Sequence, residues 1–247
     1  MELNRTPEPN NLFLGELFDW NREGEDRWLR LARLVIRRLK LPWSIRRIPD
    51  PLSQMTTAEM RLNLWHFAAQ TLAYDVPGDF ASFGCFDGKT AVIYQKVLDG
   101  YGSTRRLHLY DNFKSSFHLH DTDLHAEVDL NFKSAGVRPG VIHAGDFRET
   151  LPSALPGELA CLDIDCGCGG DPDLHAATLL HVLEHVYPRM TPGAVGVLTD
   201  YHVRGMTRCP DYNPGVRHAC DRFFASRAEK VVPLWAGAYA QAYFRKR

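Results

Sequence analysis

A chain of 247 residues has room for one α/β domain of ordinary size plus an extension, and so for a large core. With 29 basic and 30 acidic residues it carries a net charge of −1, which gives no broad electrostatic footprint for a nucleic-acid backbone. Its 6 cysteines, at 85, 161, 166, 168, 209 and 220, are scattered along a chain too long to need a disulfide framework, so reduced thiols in a cytoplasmic protein are expected. Residues 1–7 show no signal-peptide pattern, and no apolar run approaches the ~18 residues of a membrane span.

Glu25 to Lys40 reads as an amphipathic helix, with Trp28, Leu31, Leu34 or Val35, and Leu39 on one side. Arg27, Arg30, Arg33, Arg37, Arg38 and Lys40 crowd the other side, and Pro42, Pro49 and Pro51 end the pattern. Residues 1–55 are read as a helical, Arg-rich extension or lid, solvated on its basic face. Contact of that face with an anionic membrane surface or an acidic substrate is the weaker alternative. Thr56 to Tyr74 reads as a second helix, capped by Thr57, with Met60, Leu64, Phe67, Ala68 and Leu72 as its apolar stripe.

From Val76 onward strands and helices alternate. The expected strands are Phe80 to Phe83, Leu107 to Tyr110, Gly140 to His143, Leu159 to Ile164 and Ala194 to Thr199. Helices fill the gaps near 89–99, 122–135, 174–187 and 214–227. Lys230 to Leu234 and Ala238 to Phe244 form a hairpin around Trp235, Ala236 and Gly237. The alternation implies an α/β fold with a doubly wound, mostly parallel sheet and a C-terminal antiparallel hairpin, in the domain 56–247. Ligands of such a sheet bind beyond the carboxyl ends of its strands.

The turn after the first of these strands is the most informative stretch. Gly84 and Gly88 break the apolar run and let backbone pass close to a ligand, and Asp111 ends the next strand, where an acid can hold the hydroxyls of a ribose. Gly84-Cys-Phe-Asp-Gly88 lacks the G-x-G-x-x-G spacing of a dinucleotide site. Gly88-Lys89-Thr90 lacks the earlier glycine of a phosphate loop. A nucleoside without phosphates, S-adenosylmethionine, suits this turn better than NAD or ATP, although a plain tight turn has the same look.

Acids recur at the strand ends: Asp111, Asp146, Asp163 with Asp165, and Asp200. Asp146 can accept from an adenine amino group. Asp163, Asp165 and Asp200 can hold a hard divalent cation or act as a general base. His202 is placed for proton transfer, and His118, His120 and His125 can line an acceptor pocket or be ordinary loop residues.

Two further signals read more weakly. His181-Val-Leu-Glu-His185 matches the H-x-x-E-H pattern of inverted zinc proteases, but only Glu229 remains downstream as a third ligand, and surface histidines are the preferred reading. Cys166-Gly-Cys168 lacks a C-x-x-C pair, so a glycine-rich loop is preferred there over a zinc site.

Assembled in order, these landmarks resemble the macrocin O-methyltransferase (TylF-type) family of S-adenosylmethionine-dependent enzymes. The resemblance covers about residues 55–247. It rests on Val76-Pro-Gly-Asp-Phe80 leading into Phe83-Gly84-Cys-Phe-Asp-Gly88, on Tyr110-Asp111-Asn-Phe113, and on Gly145-Asp-Phe-Arg-Glu-Thr-Leu-Pro152. Leu162-Asp163-Ile-Asp165, Tyr187-Pro-Arg-Met-Thr-Pro-Gly193, Asp200-Tyr201 and residues 214–223 complete it. The resemblance implies a Rossmann-like methyltransferase that methylates a hydroxyl, commonly on a sugar of a natural product, with a magnesium ion held by aspartates.

On this reading Phe83, Gly84, Cys85, Gly88, Asp111, Asn112, Asp146 and Phe147 are expected to line the cofactor. Asp163 and Asp200 match metal positions, and Asp163, Asp165 and His202 are the candidate catalytic groups. Three departures stand out. Thr199 replaces one acid of a paired Asp-Asp, Ser82 replaces the acid before the first glycine, and the chain is about eight residues longer between Asp165 and Tyr187. A metal-independent methyltransferase with an Asp or His base, or a non-catalytic binding protein on the same fold, are the alternatives. A small-molecule hydroxyl acceptor, no nucleic acid and a homodimer are the expected partners.

Overall fold

A computed structural model describes residues 27–41, 56–114, 123–166, 170–207 and 209–247. The strands are β1 Asp79–Phe83, β2 Leu107–Asp111, β3 Val141–Ala144, β4 Leu159–Ile164, β5 Met190–Thr199, β6 Val232–Leu234 and β7 Gln241–Arg245. The helices are α1 Arg27–Arg38, α2 Ala58–Ala73, α3 Lys89–Gly100, α4 Leu124–Ala135, the single turn α5 Phe147–Thr150, α6 Pro172–Val186 and α7 Pro214–Phe224. Among the described residues the strands form one seven-stranded sheet in the order β3-β2-β1-β4-β5-β7-β6. Neighbours from β3 through β5 are parallel, and β7 runs antiparallel to both β5 and β6. The doubly wound sheet and its C-terminal hairpin are as the sequence implies.

Side chains of a strand alternate between faces, and here that alternation sorts the helices into two layers. Phe80 meets Tyr94 of α3 edge-on at 5.7 Å, while Phe83 stacks on Tyr110 at 4.6 Å and meets Phe147 of α5 at 6.3 Å. Helices α2, α3 and α4 therefore cover the Phe80 face, and α5, α6 and α7 pack together on the Phe83 face. Phe80, Phe83, Tyr94, Tyr110, Leu162 and Phe244 are among the largest fully buried side chains. Caps set several helix starts. Thr57, Asp123 and Asp171 each accept an N-terminal amide, and Pro172 opens α6, where its missing N–H costs nothing.

Two elements depart from the expected pattern. β5 begins at Met190 and not at Ala194, because Pro192 and Gly193 lie in an irregularity between the Leu159–Met190 and Cys161–Val195 pairs. A bulge is where a strand tolerates a missing donor and a left-handed glycine. The turn α5 was not expected; Asp146 caps it by accepting from Arg148 N at 2.8 Å.

Helix α1 is present, with its Trp28, Leu31, Leu34 and Val35, and Leu39 just beyond its end, 45–75% exposed. No helix among the described residues is long and apolar enough to cross a membrane. Cys85, Cys161, Cys166, Cys209 and Cys220 are free thiols.

Candidate cofactor-binding site

β1 has β2 on one side and β4 on the other, so the chain winds outward in both directions from this point. A doubly wound sheet opens a crevice above its carboxyl edge at such a reversal. Gly84 sits at that edge with φ +83, donating its amide to Tyr110 O at 2.8 Å. A Cβ on Gly84 would lie 1.8 Å from the backbone oxygen of Asp165, so the β1 and β4 loops approach too closely for any side chain. Gly88, also left-handed, starts α3, and a Cβ there would press on Val128 and Phe132 of α4.

Asp111 meets this turn directly. Its Oδ2 accepts from Phe86 N at 2.8 Å and its Oδ1 from Phe113 N at 2.8 Å. Both donors hold left-handed backbone, φ 48 and 54, a conformation that L residues adopt only at a cost. The carboxylate thus fixes the turn after β1 and the turn after β2 at once. An ionised carboxylate has about four acceptor positions, so capacity for two further hydroxyls remains. Asn131 of α4 donates to Asp87 O at 2.7 Å, and Lys89 pairs with Asp87 at 2.7 Å, bracing the same loop.

The other expected cofactor residues fall around this bend. Phe83 and Cys85 are buried, and the Cys85 thiol is pushed up by burial and by Asp111 and Asp163, which makes it unreactive. Asn112 is exposed and accepts from Lys114 N at 2.9 Å. Asp146 is exposed above β3, and Phe147 is half-buried against Phe83.

The acids of β2, β4 and β5 come to one rim. The Asp165 carboxyl is held well above its ordinary range by burial, then by the negative charges of Asp200, Asp163 and Asp111. Asp200 is raised as well, by burial foremost and by Asp211, against the effect of a 2.5 Å hydrogen bond donated by Asn213. His202 is half-buried, its Nδ1 3.7 Å from Asp211. Asp163 differs from the picture of an acid at the lip. It is 3% exposed within β4, facing α2 and α3, and accepts from Ser82 Oγ at 3.0 Å.

A magnesium site needs several oxygen ligands around one point. Among the described residues no three His, Cys, Asp or Glu side chains make such a group. Asp163 is engaged with Ser82, and Thr199 offers no charge. The described side chains do not fit a closed magnesium cage.

His181 and His185 are half-buried and hydrogen-bonded rather than surface residues. His181 Nε2 lies 3.3 Å from Phe147 O, and His185 Nδ1 lies 2.7 Å from His181 O. Glu229, the third ligand that the zinc-protease pattern would need, instead accepts from Arg247 N at 3.1 Å. His118, His120 and Cys168 fall outside the described residues, while His125 meets Phe113 edge-on at 5.5 Å. Sequence reading missed Phe86 and Asn213. Asn213 was legible as the residue before Pro214-Gly215 at a helix start; nothing marked Phe86 as left-handed.

The comparisons with known proteins bear on the family and the fold. A family model described as macrocin-O-methyltransferase (TylF) matches residues 43–227. The chain is 28% identical over 162 residues to 8-demethyl-8-(2,3-dimethoxy-alpha-L-rhamnosyl)-tetracenomycin-C 4'-O-methyltransferase of Streptomyces olivaceus, covering 57% of this chain and 59% of that one. It is likewise 28% identical over 162 residues to mycinamicin III 3''-O-methyltransferase of Micromonospora griseorubida, covering 56% and 61%. The aligned stretch thus spans less than two thirds of either relative's length.

In fold it is similar to the O-methyltransferase NovP, with TM-score 0.61, 20% identity and coverage of 77% and 80%. It is also similar to the O-methyltransferase TomG of Streptomyces achromogenes in complex with SAM, with TM-score 0.55, 17% identity and coverage of 100% and 99%. The match to the family model runs over most of the strands and helices that build the crevice, and the chain belongs to the macrocin O-methyltransferase (TylF) family.

Proposed function

We propose that the protein is an S-adenosylmethionine-dependent O-methyltransferase acting on a hydroxyl of a small molecule, with a sugar of a natural product as the acceptor class. The observation that carries this reading is the Asp111 carboxylate bound to the Phe86 amide at 2.8 Å, at the reversal point of the sheet. The two curated relatives, both named as O-methyltransferases, support it.

When bound, the cofactor supplies an electrophilic methyl group on a sulfonium. Asp111 receives the ribose hydroxyls, Asp146 and Phe147 border the adenine, and the Gly84–Gly88 turn leaves room for the amino-acid portion. Asp165 is the preferred base. Burial and three neighbouring carboxylates raise its proton affinity, so its ionised form, which grows as pH rises, is a strong enough base to take the proton of an acceptor hydroxyl as the oxygen attacks. Asp200, fixed by Asn213, orients that hydroxyl, and His202 beside Asp211 is the reserve base. Asp163 lies beneath this rim, and once ionised, above about pH 7, its charge adds to the rise of Asp165. The metal-independent form of the reaction is preferred over the magnesium-assisted form because Asp163 is bound to Ser82 and Thr199 carries no charge. The lid role of residues 1–55, of which only 27–41 are described, and a cytoplasmic homodimer are part of the same proposal.

Isothermal titration of S-adenosylhomocysteine into the full chain tests the reading. Saturable binding that Asp111→Ala weakens is expected, and no binding by the wild type overturns it. Turnover that survives exhaustive EDTA treatment is the mark of the metal-independent form.

A further inference from the structure

His185 caps the backbone carbonyl of His181, and the His181 ring in turn reaches the Phe147 carbonyl on the cofactor side of the sheet. His185 Nδ1 is 2.7 Å from the carbonyl of His181, one turn earlier on α6, and the two rings lie 4.3 Å apart. His181 Nε2 is 3.3 Å from the carbonyl of Phe147. That carbonyl also accepts from Leu151 N at 2.9 Å, so both of its lone pairs are engaged.

Phe147 opens α5, a helix of 4 residues. One turn cannot hold itself, since forming a first turn fixes several residues for a single hydrogen bond. Its position is therefore set from outside. On the sheet side Phe83 meets Phe147 edge-on at 6.3 Å, and on the helix side His181 takes its carbonyl. α6 is a 15-residue helix packed against α7, a rigid support for that hydrogen bond.

We propose that His181 is a positioning residue for the adenine side of the pocket. It acts through the Phe147 carbonyl to hold Asp146 at the distance that recognition of a 6-amino group requires. The proposal rests on the S-adenosylmethionine reading above. It requires the proton on Nε2, because a carbonyl can only accept.

The test measures the dissociation constants of S-adenosylhomocysteine and of its inosine counterpart, which lacks the 6-amino group. Wild type, His181→Leu, His181→Gln, Asp146→Ala and the His181→Leu/Asp146→Ala double variant are compared. His181→Leu is expected to weaken S-adenosylhomocysteine about threefold to tenfold, the worth of one hydrogen bond, and to shrink the preference for the adenine form. His181→Gln, which keeps an N–H donor, recovers most of both. The double variant loses less than the product of the single losses, because both changes disable one contact.

A folded His181→Leu protein with unchanged affinity and unchanged adenine preference overturns the proposal while leaving the cofactor reading intact. So does strict multiplicativity in the double variant. Absence of binding by the wild type removes the cofactor reading itself, and the proposal with it. Should His181→Leu fail to fold, His181→Phe, which keeps a planar ring and lacks the donor, carries the same two readings.

Discussion

Asp163 Oδ2 accepts from Ser82 Oγ at 3.0 Å across the β1–β4 pair, while Asp163 Oδ1 is buried with no hydrogen-bond partner among the described residues. A carboxyl so enclosed resists losing its proton, and burial pushes it up to about 7 against the lowering effect of the Ser82 hydrogen bond. The serine and the raised acid belong together. A second acid at position 82 would set a like charge against Asp163, whereas the hydroxyl supplies a donor.

Stability should therefore depend on pH in a defined direction. Between about 4 and about 7 the unfolded chain loses the Asp163 proton while the folded chain keeps it, so stability falls across that window and levels off above it. The gap between 3.8 and about 7 sets a ceiling of about 4 kcal/mol on the change. Chemical denaturation of Asp163→Asn at several pH values should show a shallower decline from pH 4 to 7 than the wild type. Parallel curves would mean that Asp163 is ionised normally.

Gly84 is held by backbone geometry on two counts. Its φ is +83, and an added Cβ would meet the Asp165 carbonyl at 1.8 Å, an atom that cannot swing aside as a flexible side chain would. Gly84→Ala is expected to cost more than about 3 kcal/mol, beyond the ordinary range for a point substitution, and to abolish S-adenosylhomocysteine binding in whatever folds. Thermal melts and titration check this. A variant within a degree of the wild-type melting temperature contradicts the packing described.

Asp111→Asn keeps the size of the side chain and removes its charge. One amide nitrogen then faces either Phe86 N or Phe113 N, donor against donor, where two acceptors stood before. Hydrogen bonds to charged groups contribute about 1.5–3 kcal/mol each, so S-adenosylhomocysteine affinity should drop by about tenfold to a hundredfold. Phe86 and Phe113 should also relax from left-handed backbone, visible as faster amide exchange in both turns. Slow exchange together with weakened binding would assign Asp111 to ligand contact alone.

The parts of the fold visible in sequence were those fixed by local chemistry. Apolar runs such as Leu159–Ile164 and glycine punctuation at Gly84 and Gly88 carry their strand and turn on their face. β5 was read short because Pro192 and Gly193 look like a break, and only the mismatch with β4 turns them into a bulge. α5 went unseen for a related reason: a turn of 4 residues has no period, and partners distant in sequence, Phe83 and His181, place it. At the site, strand-end acids were legible as a set. Their unequal burial was not, because whether Asp163 faces helices or the crevice depends on which strand lies beside it.

The start of the sheet carries a second titrating group, remote from the crevice. His108 Nδ1 lies 3.0 Å from His143 Nε2, His108 Nε2 lies 3.2 Å from Asp79, and Tyr110 stacks on His143 at 4.5 Å. A hydrogen bond between two imidazole nitrogens requires that one be unprotonated. Burial, and then His108, hold His143 below its ordinary value of 6.5, so below that pH the unfolded chain takes up a proton that the folded chain resists. Stability is therefore lost as pH falls from 6.5 toward the lowered folded value, opposite in sign to the effect of Asp163. In an Asp163→Asn background, where the opposing slope is absent, His143→Gln should flatten the melting temperature between pH 5 and 6.5, with no change in S-adenosylhomocysteine affinity at pH 7.5. An Asp163→Asn curve already flat there, with His143 in place, would place the proton on the His108–His143 pair without cost, through the charge of Asp79.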